Sequence, residues 1–160
     1  MAHQKTDKER ISLRASDVMV KEVIMIDENA SVKKSADVMK ELEISSIIAT
    51  RNGKPIGIIT ERDLLKRIVV EGKNAKKTKV KDIMSSPLTV IMPDMHLEEA
   101  VRLMFDKKIK KLPVSDRNSI IGLLSLTDIA RCQPHMMRVL KALSVMQETP
   151  KSIQKVIDAT

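Results

Sequence analysis

The stretch GIITERD at Gly57–Asp63 returns sixty-five residues later as GLLSLTD at Gly122–Asp128. In both, a glycine precedes two aliphatic residues and a hydroxyl residue, with an aspartate three positions further on. Ser/Thr-x-x-Asp is a capping-box pattern, in which the hydroxyl accepts from a first-turn N–H and the acid reaches back to the cap. The sequence therefore predicts a strand that runs directly into a helix, twice.

These stretches belong to a longer internal duplication. Residues 17–66 align with residues 82–131 at one constant offset and without a gap. Eight positions in fifty are identical, and apolar residues replace one another at many more. The identical pairs are Asp17/Asp82, Met19/Met84, Ile26/Ile91, Met39/Met104, Ile44/Ile109, Ile56/Ile121, Gly57/Gly122 and Asp63/Asp128. A fixed period of this kind predicts one fold built twice.

Each copy shows the same order of secondary-structure signals. A short apolar strand near residues 23–26 precedes Ser31, a typical helix N-cap. The apolar face of the helix that follows carries Val32, Ala36, Met39 and Leu42, and in the second copy Leu97, Ala100, Val101 and Met104. Asn52-Gly53 between two apolar runs predicts a hairpin, because both residues tolerate positive φ. A last helix starts at Thr60 and carries Leu64, Leu65 and Ile68. The predicted order is β-α-β-β-α.

The fold class is therefore α/β (α+β), with two copies related by a pseudo-twofold axis. One copy of about 55 residues is too small to bury its own helix and sheet faces. The expected segments are a polar N-terminal extension (1–13), a first repeat (14–72), a basic linker (73–79), a second repeat (80–133) and a C-terminal helical tail (134–160). The tail is interpreted as a dimer-packing helix rather than a helix for a membrane surface.

The composition is aliphatic and basic. Among 160 residues there is one Phe and no Trp or Tyr, and the net charge of +8 favours an anionic partner. Five lysines between Lys73 and Lys81 are interpreted as a solvated linker rather than a binding patch. There is no apolar run long enough for a membrane span and no signal-peptide pattern, and Cys132 is the only cysteine. These features predict a cytoplasmic protein.

Residue patterns typical of catalysis or metal binding are missing from the sequence. His3, His96 and His135 lie far apart, and Cys132 with His135 would need further ligands that the sequence does not place nearby. There is no P-loop and no spacing typical of a nucleophile and its base. We therefore expect no catalytic residues, no metal site and no enzymatic activity.

The repeated Ser/Thr-x-x-Asp motif allows two interpretations. It can simply cap a helix, or the same helix start can offer free N–H groups to a phosphate. In the second case, the hydroxyl of Thr60 or Ser125 adds a donor, and Asp63 or Asp128 can accept from both hydroxyls of a ribose. Adenine would then lie among aliphatic side chains.

At this point the sequence resembles a known family, the tandem cystathionine β-synthase (CBS) domain pair, or Bateman module. The resemblance covers about residues 14–131 and rests on the joint order of five motifs. These are Asp-Val-Met at 17–19, GIITERD at 57–63, Asp-Ile-Met at 82–84, Lys-Leu-Pro-Val at 111–114 and GLLSLTD at 122–128. It implies a regulatory module, usually dimeric, with two clefts for adenosine-containing ligands: AMP, ADP, ATP or S-adenosylmethionine.

The resemblance also implies which residues form the two clefts, since each combines early strands of one copy with Ser/Thr-x-x-Asp of the other. The Asp63 cleft would use Met84, Thr89, Ile109, Lys110, Ile58, Thr60, Arg62 and Asp63. The Asp128 cleft would use Met19, Ile24, Ile44, Ser45, Leu123, Ser125, Thr127 and Asp128. The first copy departs from the family pattern in having Ile48 where the second has Pro113.

The Asp63 cleft is expected to hold phosphate better, because Lys110 and Arg62 stand where the other cleft has Ser45 and Thr127. No cofactor is required; an adenine nucleotide is the expected ligand, and the output would act on a target protein in trans. The alternatives are a structural or nucleic-acid-interacting dimer with empty or degenerate clefts, or a sensor of S-adenosylmethionine. Nucleic acid is the weaker alternative, because the chain lacks aromatic stacking platforms.

Overall fold

The computed structural model describes residues 12–132, which form two similar α/β halves. The first copy contains helix α1 (Ala15–Val18), strand β1 (Met25–Asp27), helix α2 (Val32–Glu41), strands β2 (Ser46–Arg51) and β3 (Lys54–Thr60), and helix α3 (Glu61–Leu64), which continues as a π-helical turn (Leu65–Val69). The second contains a 3-10 helix (Val80–Asp82), helix α4 (Leu97–Lys107), strands β4 (Lys111–Asp116) and β5 (Ser119–Ser125), and helix α5 (Leu126–Cys132). The predicted C-terminal helical tail lies outside the described residues.

The first sheet has the order β1-β2-β3. β1 runs parallel to β2, with Ile26 opposite Ala49, and β2 pairs antiparallel with β3. Asn52 and Gly53 connect β2 to β3 with φ values of 50° and 76°. The hairpin predicted at these two residues is therefore confirmed, and its positive φ angles match the twist of the strands it joins.

Among residues 12–132, the second sheet contains two strands, β4 and β5. The first strand expected in this copy is reduced to a single parallel bridge between Ile91 and Val114. In the first copy, the N–H of Ile48 donates to the carbonyl of Ile24 at 3.0 Å. Pro113 replaces Ile48 in the second copy and has no N–H to donate to Thr89, so the ladder cannot extend there.

The central helices follow the predicted pattern with one exception. Ser31 caps α2 by accepting from the N–H of Lys34 at 3.2 Å, and the predicted apolar face of α4 is entirely buried. Leu42, expected on the apolar face of α2, is the C-cap residue and is 51% exposed. The prediction for Leu42 was wrong because the helix ends one residue earlier.

The helix after Thr60 also departs from its predicted periodicity. Ile68 is buried as expected, but Leu65 is 57% exposed. From Leu65 onward the backbone closes wider turns, with the N–H of Val70 donating to the carbonyl of Leu65 at 3.0 Å. Because a π-turn changes the angle between successive side chains, the spacing of an α-helix no longer applies.

The two hydrophobic cores exchange their opening segments. Ala15 and Val18, at the start of the first repeat, are buried in the core formed by α4, β4 and β5. Val80 and Ile83, at the start of the second, are buried in the core around β2 and β3. The packing units therefore differ from the sequence segments 14–72 and 80–133, because each core is completed by residues of the other copy.

The basic linker is fixed to the fold by its backbone. The carbonyls of Thr78 and Ala75 accept from the N–H groups of Val32 and Lys33, each at 2.9 Å. The linker thereby supplies acceptors to the first turn of α2, whose amides would otherwise be unpaired. Its lysines remain exposed, as a solvated charge run requires.

Candidate functional site

A cavity of about 530 Å³ lies between the two copies, within the size range of small-molecule sites. Seven of the eight residues predicted for the Asp63 cleft line it: Ile58, Thr60, Arg62, Asp63, Thr89, Ile109 and Lys110. The eighth, Met84, packs against Gly57 beside the cavity. Both copies contribute walls, so a molecule bound here would contact the two repeats at once.

The cavity exists because a segment of each copy crosses to the other. Ile58 and Ser85 exchange two backbone hydrogen bonds, at 3.0 and 2.8 Å. Val20 and Leu123 make the same exchange at the related position, both at 2.9 Å. The repeated glycine immediately precedes each crossing point. A Cβ on Gly57 would lie 2.7 Å from the Sδ of Met84 and 3.0 Å from the carbonyl oxygen of Ser85, so a side chain here would force these neighbours to shift.

The motif also forms the predicted helix cap. The Asp63 carboxylate accepts from the N–H of Thr60 at 2.9 Å and from its hydroxyl at 2.8 Å. The hydroxyl in turn accepts from the N–H of Asp63 at 3.3 Å. Thr60 and Asp63 thus close a capping box on the wall of the cavity, and the residue Asp63 is only 8% exposed.

The cap changes the expectation for phosphate. The N–H of Glu61 donates to the carbonyl of Ser45 at 3.1 Å, and the N–H of Asp63 is taken by Thr60. In the second copy, the N–H groups of Leu126 and Asp128 have the same kinds of partner. The expectation that the helix start offers free amides is therefore wrong for two of its first three N–H groups. Phosphate recognition would fall to side chains.

Asp63 has two further neighbours. The hydroxyl of Ser85 donates to its Oδ1 at 3.4 Å, and Nη1 of Arg67 lies 3.6 Å from the same oxygen. Arg67 also donates to the backbone carbonyls of Ile83 and Met84. One guanidinium therefore connects the capping carboxylate of the first copy to the crossing segment of the second.

The Asp128 motif is simpler. Its N–H donates to the hydroxyl of Ser125 at 3.1 Å, and that hydroxyl donates back to the carboxylate. The positions related by the repeat to Arg67 and Ser85 are occupied by Cys132 and Val20, which supply neither a cation nor a hydroxyl. The structure thus distinguishes two carboxylates that the motif presents as equivalent.

The remaining residues predicted for the Asp128 cleft have the following contacts. Met19 packs against Gly122, next to the pairing of Val20 with Leu123. Ile24 and Ile44 pack against the core of the first sheet, and Thr127 is exposed on the first turn of α5. Ser45, which the resemblance assigned to this cleft, lines the Asp63 cavity. Its position is set by the bond from its carbonyl to the N–H of Glu61.

The cavity is strongly cationic. Six basic side chains line it against two acidic ones; the basic residues are Arg62, Lys66, Arg67, Lys108, Lys110 and Lys111, and the acidic residues are Glu61 and Asp63. Sequence reasoning missed Lys66, Arg67, Lys108, Lys111 and Ser85. The spacing of Lys66 and Arg67 after Asp63, one helical turn away, was a usable signal, whereas Ser85 required knowledge of the crossing.

Lys111 occupies a central place in this charge distribution. Burial lowers the pKa of its ammonium group, while the carboxylates of Asp128 and Glu61 act in the opposite direction. Glu61 belongs to the motif of the first copy and Asp128 to that of the second, so carboxylates of both copies favour the charged form of Lys111.

Between residues 12 and 132, no three or more His, Cys, Asp or Glu side chains are grouped as a metal ion would require. Nor does this part of the chain contain a helix with the length and apolarity needed to cross a bilayer.

Comparison with known proteins identifies the fold. The family described as CBS domain matches residues 15–70 and again residues 80–135. An uncharacterised protein of Methanopyrus kandleri is 36% identical over 132 residues, covering 81% of this chain and 67% of that protein. The CBS domain-containing protein YhcV of Bacillus subtilis is 32% identical over 114 residues, covering 71% of this chain and 81% of its own.

A solved structure supports the same assignment. The hexameric CBS-CP12 protein from bloom-forming cyanobacteria superposes with a TM-score of 0.74 and 26% identity, covering 93% of this chain and 78% of that one. Proteins built from CBS pairs are generally regulatory, ligand-binding modules. The two family matches, the exchanged cores and the crossing segments agree: the chain belongs to the CBS domain family and carries its domains as a tandem pair.

Proposed function

We propose that the chain is a non-enzymatic sensor that binds an adenosine nucleotide in the Asp63 cleft. The observation that carries this proposal is the convergence of three kinds of group on one cavity formed by both copies. Aliphatic side chains, a capping carboxylate and a set of cations line the same 530 Å³ space. They match the base, the ribose and the phosphate of one ligand.

The adenine base would lie beside Thr89, which can supply a backbone acceptor. Ile58 and Ile109 supply apolar walls for a purine ring. Thr89 lines the same space. Its carbonyl receives no hydrogen bond from Pro113, because proline has no backbone N–H. A backbone acceptor beside apolar walls suits the exocyclic amino group of adenine, because partly buried carbonyls favour a donor.

The ribose and phosphate would occupy the capped end. Asp63 is held in place by Thr60, Ser85 and Arg67, so its carboxylate is oriented before a ligand arrives. The ribose hydroxyls would donate to this carboxylate, and the phosphate would pair with Arg62 and Lys110. Arg62 comes from the first copy and Lys110 from the second.

Ligand binding would be read as a change between the copies. A molecule that contacts both walls stabilises the arrangement that brings them together, in proportion to its differential affinity for the two states. The output would reach a target protein in trans or act through the geometry of a homodimer in the cytoplasm.

Thermal unfolding with AMP, ADP, ATP and S-adenosylmethionine tests this function. A ligand at a hundredfold excess over its dissociation constant should stabilise the protein by about 2.7 kcal/mol. Asp63→Asn should abolish most of this gain, while Asp128→Asn, the matched change in the other motif, should leave most of it. Unfolding of each unliganded variant controls for damage to the cap. The proposal fails if no adenosine ligand stabilises the protein or if Asp128→Asn has the larger effect; salt-sensitive DNA retention would then favour the nucleic-acid alternative.

A further inference from the structure

Four of the cations around the Asp63 cleft have no acidic partner. Arg62, Lys66, Lys108 and Lys110 line the cavity, and within residues 12–132 none of them lies within 4.0 Å of a carboxylate oxygen. All four are exposed, so their ammonium and guanidinium groups are hydrated. Like charges gathered without compensation are unfavourable to one another and attract an anion.

The four cations come from opposite walls. Arg62 lies in α3 and Lys66 in the π-helical turn that continues it, so both belong to the first copy. Lys108 and Lys110 follow α4 and belong to the second copy. An anionic group bound in the cavity could therefore contact cations of both copies, in addition to the Asp63 carboxylate proposed to bind the ribose.

Lys108 is placed by an unusual backbone conformation. It ends α4 with φ 55° and ψ 39°, a left-handed conformation in which glycine or asparagine is more common. Its N–H donates to the carbonyl of Phe105 at 3.1 Å, which fixes the residue at the rim. The related position in the first copy is Glu43, also left-handed with φ 53°. The same left-handed conformation thus carries a cation, Lys108, in the second copy and an acid, Glu43, in the first.

The asymmetry extends to the other cations. Lys110 corresponds to Ser45, and Arg62 corresponds to Thr127. Three of the four positions that carry unpaired charge in the Asp63 cleft are therefore neutral or acidic in the related motif, with Arg131 at the position of Lys66 as the exception. The cluster of unpaired cations is therefore specific to the Asp63 cleft and is not a general feature of the repeat.

We propose that the Asp63 cleft selects adenosine nucleotides with two or more phosphate groups over AMP and over S-adenosylmethionine. One phosphate carries up to about two negative charges and can satisfy one pair of cations. Lys66 and Lys108 are the specificity-determining residues for the additional phosphates. The cationic sulfonium of S-adenosylmethionine is repelled by the same groups. This inference rests on the proposed function, since it assumes that adenosine occupies the cleft.

Calorimetric titration at fixed pH and ionic strength, without divalent cations, tests the selection. ATP is expected to bind at least about tenfold more tightly than AMP, as about one additional charge-assisted contact would give. Lys66→Gln combined with Lys108→Gln should reduce this ratio to about twofold or less, mainly through weaker ATP binding. The control, Lys76→Gln with Lys77→Gln, removes the same charge from exposed linker positions and should preserve the ratio.

The outcomes separate the inference from the function. Equal affinities for AMP and ATP in the wild type would overturn the selection while leaving the adenosine site intact. An equal fall in ATP affinity in the linker control would show general attraction to a basic protein and would also overturn it. Absence of binding by every adenine nucleotide would overturn the proposed function itself. Inorganic tripolyphosphate is a further arm: it should compete with ATP more weakly than ADP does, and equal competition would exclude adenosine as the recognised group.

Discussion

The side chain of Met84 lies against the Cα of Gly57, so closely that a Cβ on the glycine would stand 2.7 Å from Sδ and 3.0 Å from the carbonyl oxygen of Ser85. The two residues belong to different copies, and each is identical in both copies of its motif. Met19 contacts Gly122 in the related place, where a Cβ would come within 2.8 Å of Cγ. The repeated glycine and the repeated methionine are therefore two sides of one contact, made twice.

Gly57→Ala should destabilise the protein by about 1–3 kcal/mol, the usual cost of overpacking. The methyl group must displace either a flexible Met84 or the backbone that exchanges bonds with Ile58. Chemical denaturation measures the loss. Met84→Ala added to Gly57→Ala should recover part of it if the side chain is the obstacle. An unchanged denaturation midpoint for Gly57→Ala alone would mean that the close approach does not constrain the fold.

The sequence predicted the secondary-structure elements of this fold better than the tertiary contacts between them. The glycine, the capping pair and the hairpin turn are local signals, and each appears where expected. The exchange of Val18 and Ile83 between cores could not be read from a repeat, because an alignment shows that two segments are alike and not which copy each one packs against.

Site prediction was limited in the same physical way. The family resemblance assigned Ser45 to the Asp128 cleft; in the structure it lines the Asp63 cavity, where its carbonyl accepts from the N–H of Glu61. Ser85 and Arg67 were missed because they meet Asp63 only after the crossing segment is placed. The residue types in the motif indicated phosphate and ribose binding. The side chains that orient Asp63, however, are placed by tertiary contacts that the sequence does not show.

Pro113→Val should extend the second sheet and weaken nucleotide binding. Valine restores an N–H, which can donate to the carbonyl of Thr89 as Ile48 does to Ile24. The carbonyl would then be less available to adenine. Hydrogen exchange should show a protected amide at position 113, and adenosine affinity should fall by about threefold to tenfold, the range of one hydrogen bond. An unprotected amide with unchanged affinity would contradict the role given to the proline.

Arg51→Gln should reduce the stability of the protein most clearly at neutral pH. The guanidinium of Arg51 bonds both oxygens of Glu28, at 2.6 and 2.9 Å, and this contact lowers the pKa of Glu28 below 4.5. A lowered carboxyl pKa contributes stability above the unfolded value, and the contribution disappears as pH falls through the folded value. The unfolding midpoints of wild type and variant should therefore converge in acid. A difference between them that does not depend on pH would exclude the ion pair as its source.

Lys111→Met should stabilise the unliganded protein and weaken its binding of phosphate. The pKa of Lys111 lies below 10.5 because burial disfavours the ammonium, so the charged group opposes folding below its folded pKa. This penalty is relieved as pH rises from the folded pKa towards 10.5, and the stability advantage of the methionine variant should shrink over that interval. A phosphate in the cavity favours the ammonium, so wild-type affinity should fall across the same range while that of the variant changes less. At neutral pH the variant should bind ATP about two- to fivefold more weakly, as loss of a partly exposed ion pair implies. Urea unfolding and ATP titration of both proteins from pH 7 upward measure the two effects, and a variant that is less stable at pH 7 would contradict the assignment of a buried, unfavourable charge to Lys111.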